Sequence, residues 1–401
     1  MKEISSDPEL FSKELYEIMK TINSGIEYLE LYEFQYGLNN MTPEMGWDHV
    51  KLDSTAEIEA RMNDRKFYDS INIKPKIAER IVMDDQILRL SQMLFVGLIT
   101  GDYPVYWVKK WFFFDIRGFY FLHRTIYFTA GVIGHFGGKP FREFAKEQER
   151  FNLVQDLGYK DFKKANIRVD TLFIESIKKL IGARGTPLLL AIAGPTAAGK
   201  TEITKRLQES FQLDGKKVSL IEMDNFLTDR EDREAKGIFT QGKEALHFAL
   251  LKRSLSDICQ GKKISIPRYD FVNATSSHDN SGDLKPDGVP IEIEPADIVF
   301  IEGNFPFLIK EIANLIAVKV VYLTDDPVRL KRKWKRDIDY RKKYEPTYFR
   351  NRYFKDQFIM AEIAYRPQLE ICDMAVDTTA AALWTTPEIS EILNNMQHFI
   401  S

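Results

Sequence analysis

The twenty residues Leu188–Leu207, LLLAIAGPTAAGKTEITKRL, leave the chain little choice of fold. LLLAIA is apolar at every position, as a strand must be when both faces of its sheet are covered. Gly194, Pro195, Thr196, Ala197, Ala198, Gly199, Lys200 and Thr201 then satisfy G-x-x-x-x-G-K-[ST] in full, with a helical pattern following. In that setting the glycines let backbone N–H groups face phosphate oxygens, and the helix N-terminus adds partial positive charge. Lys200 is expected to reach the outer phosphates of a nucleotide, and the Thr201 hydroxyl to ligate Mg²⁺.

Beyond this loop the apolar runs alternate between strand and helix. KVSLIEM, ADIVFIEG, VKVVYLT and MAVDTT read as strands, KEALHFALLKRSLSDICQ as a helix, and PEISEILNNMQHFI as a terminal helix capped by Thr386 and opened by Pro387. The alternation predicts an α/β unit, a mostly parallel sheet flanked by helices, over residues 187–401. Residues 1–182 read as a mainly α-helical domain that no motif connects to a chemistry. DPELFSKELYEIMKTI carries a helical apolar stripe with Asp7 as N-cap, and the cluster of aromatics between Tyr103 and Phe136 reads as core, with an aromatic ligand pocket as the competing reading. GARGTP, Gly182 to Pro187, is the expected boundary, since Gly and Pro end the preceding helix.

At 401 residues, 44% hydrophobic and with a formal net charge of -3, the chain has material for real cores and no electrostatic signature of a nucleic-acid binder. Cys259 and Cys372 lack metal or disulfide spacing. The first residues are acidic where a secretory leader is basic, and charges interrupt the most apolar segment, from Val105 on. The expectation is a cytoplasmic protein without stable membrane insertion, its self-association left open.

Two strand ends carry acids where an open α/β sheet gathers its site, at the carboxyl ends of strands. Asp224, in LIEMDNF, can accept a hydroxyl proton; Glu302, in VFIEGNF, can hold Mg²⁺ directly or through water. Taken alone, the first is also a turn cap and the second an ordinary strand-end acid. After the fourth strand, DDPVRLKRKWKRDIDYRKKY packs Arg329 to Lys343 with positive charge. It reads as a basic lid over the phosphates, with an RNA-binding helix as the competing reading.

In this order the phosphate loop, MDNF, IPRYDF, FIEG and KRDIDYR resemble the uridine kinase/phosphoribulokinase family of P-loop kinases over residues ~187–380. The resemblance implies a P-loop NTPase kinase domain using ATP and Mg²⁺ on a small-molecule acceptor. It makes Asp224 the catalytic base, Thr201 and Glu302 the metal residues, and Tyr269 a wall of the acceptor pocket. Arg336 and Arg341 would approach the phosphates from the lid, with Lys333 and Lys343 as weaker counterparts.

The acceptor side departs from the family pattern. The tyrosine expected soon after the aspartate is absent, and so is the histidine expected just after YDF. His278, the nearest candidate, lies in a polar loop and reads as solvated. The acid expected to grip ribose is replaced around Gln241, which can still hydrogen-bond a hydroxyl. These changes point away from uridine, toward another nucleoside-, sugar- or vitamin-like alcohol. The rival function is a nucleotide-dependent regulatory protein whose loop domain controls the helical half.

Overall fold

A computed structural model describes residues 4–22, 41–63, 85–111, 130–144, 166–185, 188–238, 242–324, 360–378 and 381–395, with short pieces at 31, 34–35, 38, 74–75, 81–82 and 127–128. The Gln241, Lys333, Arg336, Arg341 and Lys343 expectations lie outside the described residues.

Seven strands form the central sheet: β1 (Arg142–Glu143), β2 (Leu188–Ala193), β3 (Val218–Glu222), β4 (Ile298–Gly303), β5 (Val318–Leu323), β6 (Met374–Asp377) and β7 (Ala382–Thr385). Their spatial order is β1-β7-β6-β5-β2-β4-β3. The five strands from β6 to β3 are parallel, and β7 and β1 close one edge antiparallel. The chain leaves β2 for β3, returns to lay β4 between them, then crosses to β5. The phosphate loop therefore leaves the sheet where the winding reverses, the place where open α/β sheets hold ligands.

Strand residues sort by parity into two cores, as a two-residue repeat requires. Leu188, Leu190, Ile192, Phe300, Val320 and Tyr322 face one; Leu189, Ala191, Ala193, Val299, Ile301, Val321 and Leu323 face the other. The first core is roofed by Ile203, Leu207 and Phe211 of helix Lys200–Leu213, Ile389 and Leu393 of Pro387–Asn395, and Phe173, Ile177 and Leu180 of Ile167–Arg184.

Gly185 ends helix Ile167–Arg184 at φ 80°, within the boundary expected at 182–187. The packing nevertheless runs straight across it. Asp170 of that helix is 4% exposed, pairs with Arg206 at 2.5 Å and accepts from the Tyr322 hydroxyl of β5 at 2.8 Å. β1, also from the first half, supplies the sheet's edge.

The second core joins the sheet to helix Phe248–Cys259 and to the aromatic first half, including Phe11, Trp47, Phe95, Tyr103, Trp107, Tyr127, Phe128 and Phe136. The described aromatics are thus core. Tyr127 meets Tyr365 edge-on at 6.4 Å, Phe128 and Phe136 meet Trp384 at 5.1 and 5.8 Å, and a His135 ring nitrogen contacts the Cys372 carbonyl at 2.7 Å. Asp7 caps the first helix, Pro8–Ile22, by accepting from Glu9 N–H at 2.8 Å. No helix among the described residues is long and apolar enough to cross a membrane.

Candidate active site

The phosphate loop owes its path to two crowded positions. A Cβ at Gly194 would stand 2.2 Å from the Tyr322 carbonyl oxygen, so no other residue lets the loop leave β2 beside β5. At the far side of the site, a Cβ at Gly303 would stand 2.8 Å from Met223 Cβ, and glycine lets the ends of β4 and β3 close on each other. Ala197, at φ 61°, holds a left-handed conformation that costs a non-glycine residue about 1–2 kcal/mol, an expense typical of ligand clamps.

Lys200 Nζ donates to the carbonyls of Gly194 and Pro195, both at 2.9 Å, and reaches Asn304 Oδ1 at 3.4 Å. The Thr201 hydroxyl donates to Glu302 Oε1 at 2.6 Å. Glu302 is 7% exposed, and its Oε2 is buried with no hydrogen-bond partner among the described residues. Burial pushes its carboxyl up to about 7, against the lowering pull of Lys200 and of the Thr201 hydrogen bond; Glu222 and Asp224 add to the rise. A buried carboxylate with one oxygen spare, beside a hydroxyl, fits a divalent cation. Among the described residues no group of three or more His, Cys, Asp or Glu could hold a metal by itself.

Asp224 lies in a single 3-10 turn, Met223–Phe226, directly after β3, and is half-buried. β3 and β4 are in register at Glu222 and Glu302, so both acids stand at the same sheet edge as the loop. Next to Asp224, Asn225 donates to Glu222 at 3.2 Å and accepts from the Tyr269 N–H at 3.2 Å. The second bond ties Tyr269, at the start of hairpin Tyr269–Asp270/Thr275–Ser276, to the Asp224 turn. Tyr269 is buried, its ring crossed by Phe271 at 5.1 Å and its hydroxyl met by Arg233 Nη2 at 3.1 Å. Arg233 also donates to the Thr228 carbonyl.

The sequence reading of His278 needs correction. It is buried, not solvated: the hairpin folds it beneath itself, with Nδ1 2.9 Å from Ser277 Oγ and the ring 6.3 Å from that of His247. Burial lowers the proton affinity of both rings, that of His247 to about 4. Sequence reasoning also missed Asn225, Arg233, Asn304 and Gln368, whose short polar contacts have no spacing signature.

Residues 189–377 match the model of the Phosphoribulokinase / Uridine kinase family. A uridine kinase of Brevibacillus brevis is 33% identical over 160 residues, covering 39% of this chain and 69% of that one. A uridine-cytidine kinase 2-B of Danio rerio is 32% identical over 165 residues, covering 39% and 59%. Among solved structures, one titled a possible uridine kinase from Bacillus stearothermophilus aligns at TM-score 0.31 and 22% identity, over 44% of this chain and 93% of that one. The chain belongs to the Phosphoribulokinase / Uridine kinase family, and is a phosphotransferase that acts on a hydroxyl of a small metabolite.

Proposed function

We propose that the chain transfers the γ-phosphoryl group of ATP, with Mg²⁺, to a hydroxyl of a nucleoside-, sugar- or vitamin-like metabolite. The observation that carries this reading is the grouping of Asp224, Glu302, Lys200 and Thr201 at one sheet edge, close enough for Asp224 to raise the proton affinity of Glu302. A protein that only bound nucleotide would need no proton acceptor there. In this reading Asp224 takes the acceptor's proton while Lys200 stabilises charge on the transferred group. The Thr201 hydroxyl and Glu302 would hold the metal with the nucleotide, where it neutralises phosphate charge. The reading assigns Tyr269 to the wall of the acceptor pocket, Gln241 to an acceptor hydroxyl, and Arg336 and Arg341 to the nucleotide phosphates.

Uridine stays doubtful as acceptor, because the histidine and acid expected to grip a nucleoside are replaced. The rival reading, nucleotide-dependent control of the first half, draws its support from the aromatic core that the first half shares with the sheet.

The test is a Mg·ATP screen of pooled alcohols, sugars, nucleosides and vitamins, uridine included, read by mass shift. Wild type should phosphorylate one acceptor class, and Asp224→Asn should lower kcat by at least about 10²-fold with ATP binding retained. Tight ATP binding without any phosphorylated product would favour the regulatory reading.

A further inference from the structure

A buried polar side chain next to the site carries a cost that needs explaining. Gln368 is fully buried, in helix Arg366–Leu369. Its Nε2 donates to the Asn304 carbonyl at 2.8 Å and to the Ala364 carbonyl at 3.0 Å. Its Oε1 is buried and has no hydrogen-bond partner among the described residues. A buried acceptor left without a partner is destabilising, and an apolar side chain of the same length would avoid that loss. What Gln368 gains is a fixed position for Asn304.

Asn304 follows Glu302 and Gly303 at the end of β4, and its Oδ1 stands 3.4 Å from Lys200 Nζ. Nζ also donates to the Gly194 and Pro195 carbonyls, both at 2.9 Å. Those two contacts are set by the loop's own backbone, whereas the Asn304 contact comes from the end of β4. On the other side, Ala364 belongs to a π-helical turn, Ala361–Tyr365, a rare geometry that recurs at functional sites. Gln368 therefore ties that turn to the strand end that faces the phosphate loop.

We infer that Gln368 and Asn304 are positioning residues for Lys200. Gln368 holds the Asn304 backbone, and the Asn304 side chain holds the ammonium where it meets nucleotide phosphate. The inference rests on the phosphate loop binding Mg·ATP, and not on which acceptor is used.

The test is a double-mutant cycle on Mg·ATP affinity, measured by titration calorimetry with the full chain and no acceptor. Gln368→Met keeps the side chain's length and gives up the two donated hydrogen bonds along with the unsatisfied acceptor, so its melting temperature is recorded and affinity is read on the folded variant. In the wild-type background it should weaken Mg·ATP binding about tenfold, the size expected for one lost hydrogen bond to a charged group. In a Lys200→Met background it should change the affinity by less than about twofold, because the group it positions is gone.

Equal losses in both backgrounds would mean general distortion and would overturn the inference, as would no loss in the first. If Gln368→Met fails to fold, Asn304→Leu, at the edge of the site, is read through the same cycle with the same expectations. Failure of wild type to bind Mg·ATP would remove the kinase reading and this inference together. It is told apart from the other outcomes because it appears before any substitution.

Discussion

At the residue scale the site turns on a carboxylate that folding makes reluctant to ionise. Burial holds the Glu302 pKa at about 7 in the folded chain, above the 4.5 of a free glutamate. The folded state thus binds more protons than the unfolded state between those values, and this group's contribution to stability falls as pH rises through that window. The difference corresponds to roughly 3 kcal/mol. His247 works in the opposite sense: burial lowers its pKa from 6.5 to about 4, so its contribution falls as pH drops through that range. The two partly cancel in a plain pH–stability curve. Urea midpoints of Glu302→Gln against wild type, without metal, should separate them. The variant should gain stability relative to wild type as pH rises from about 4.5 to 7, and a constant difference would refute the buried-carboxylate account. In the proposed role of Glu302 at the metal the same proton competes with the cation, and Mg²⁺ affinity with nucleotide should increase with pH up to about 7 and then level off.

At the scale of elements, the contact between helix Ile167–Arg184 and helix Lys200–Leu213 depends on a buried ion pair. Arg206→Met leaves Asp170 buried with the Tyr322 hydroxyl as a remaining partner. Breaking such a pair from one side costs about 3–5 kcal/mol. Urea denaturation should show a loss of that order, and a loss below about 1 kcal/mol would mean the pair is solvated in solution. The pair also marks the limit of what the sequence made legible. The phosphate loop, the parallel strands, the strand-end positions of Asp224 and Glu302 and the caps at Asp7 and Thr386 were readable, because each follows from a local pattern of residue types. Asp170 looked like any acid in the first turns of a helix, and its partner lies 36 residues on. β1 and β7 are short, four residues or fewer, and their pairing depends on distant chain rather than local alternation. His278 was misread because its neighbours are polar, although the hairpin that contains them folds over it. Asn225, Asn304 and Gln368 act through single hydrogen bonds, which leave no period in a sequence.

For the whole molecule, the first half supplies one edge of the sheet and part of the cover of each face. Removing residues 1–184 would delete β1 and helix Ile167–Arg184 and strip part of the apolar cover from both sheet faces. The remaining 185–401 should be aggregation-prone and lack a cooperative melt by circular dichroism; a sharp, reversible transition would show that the sheet stands alone. The pairings across the two halves also have a consequence in time. The His135 contact with the Cys372 carbonyl joins residues 237 positions apart. At a synthesis rate of about 5–20 residues per second, a ribosome needs roughly 10–50 s to pass from one to the other. For most of that interval the aromatics of the first half have left the exit tunnel with their later partners, Tyr365 and Trp384, still untranslated. Nascent chains of this protein should therefore depend on chaperones that shield apolar surface until the last strands are made.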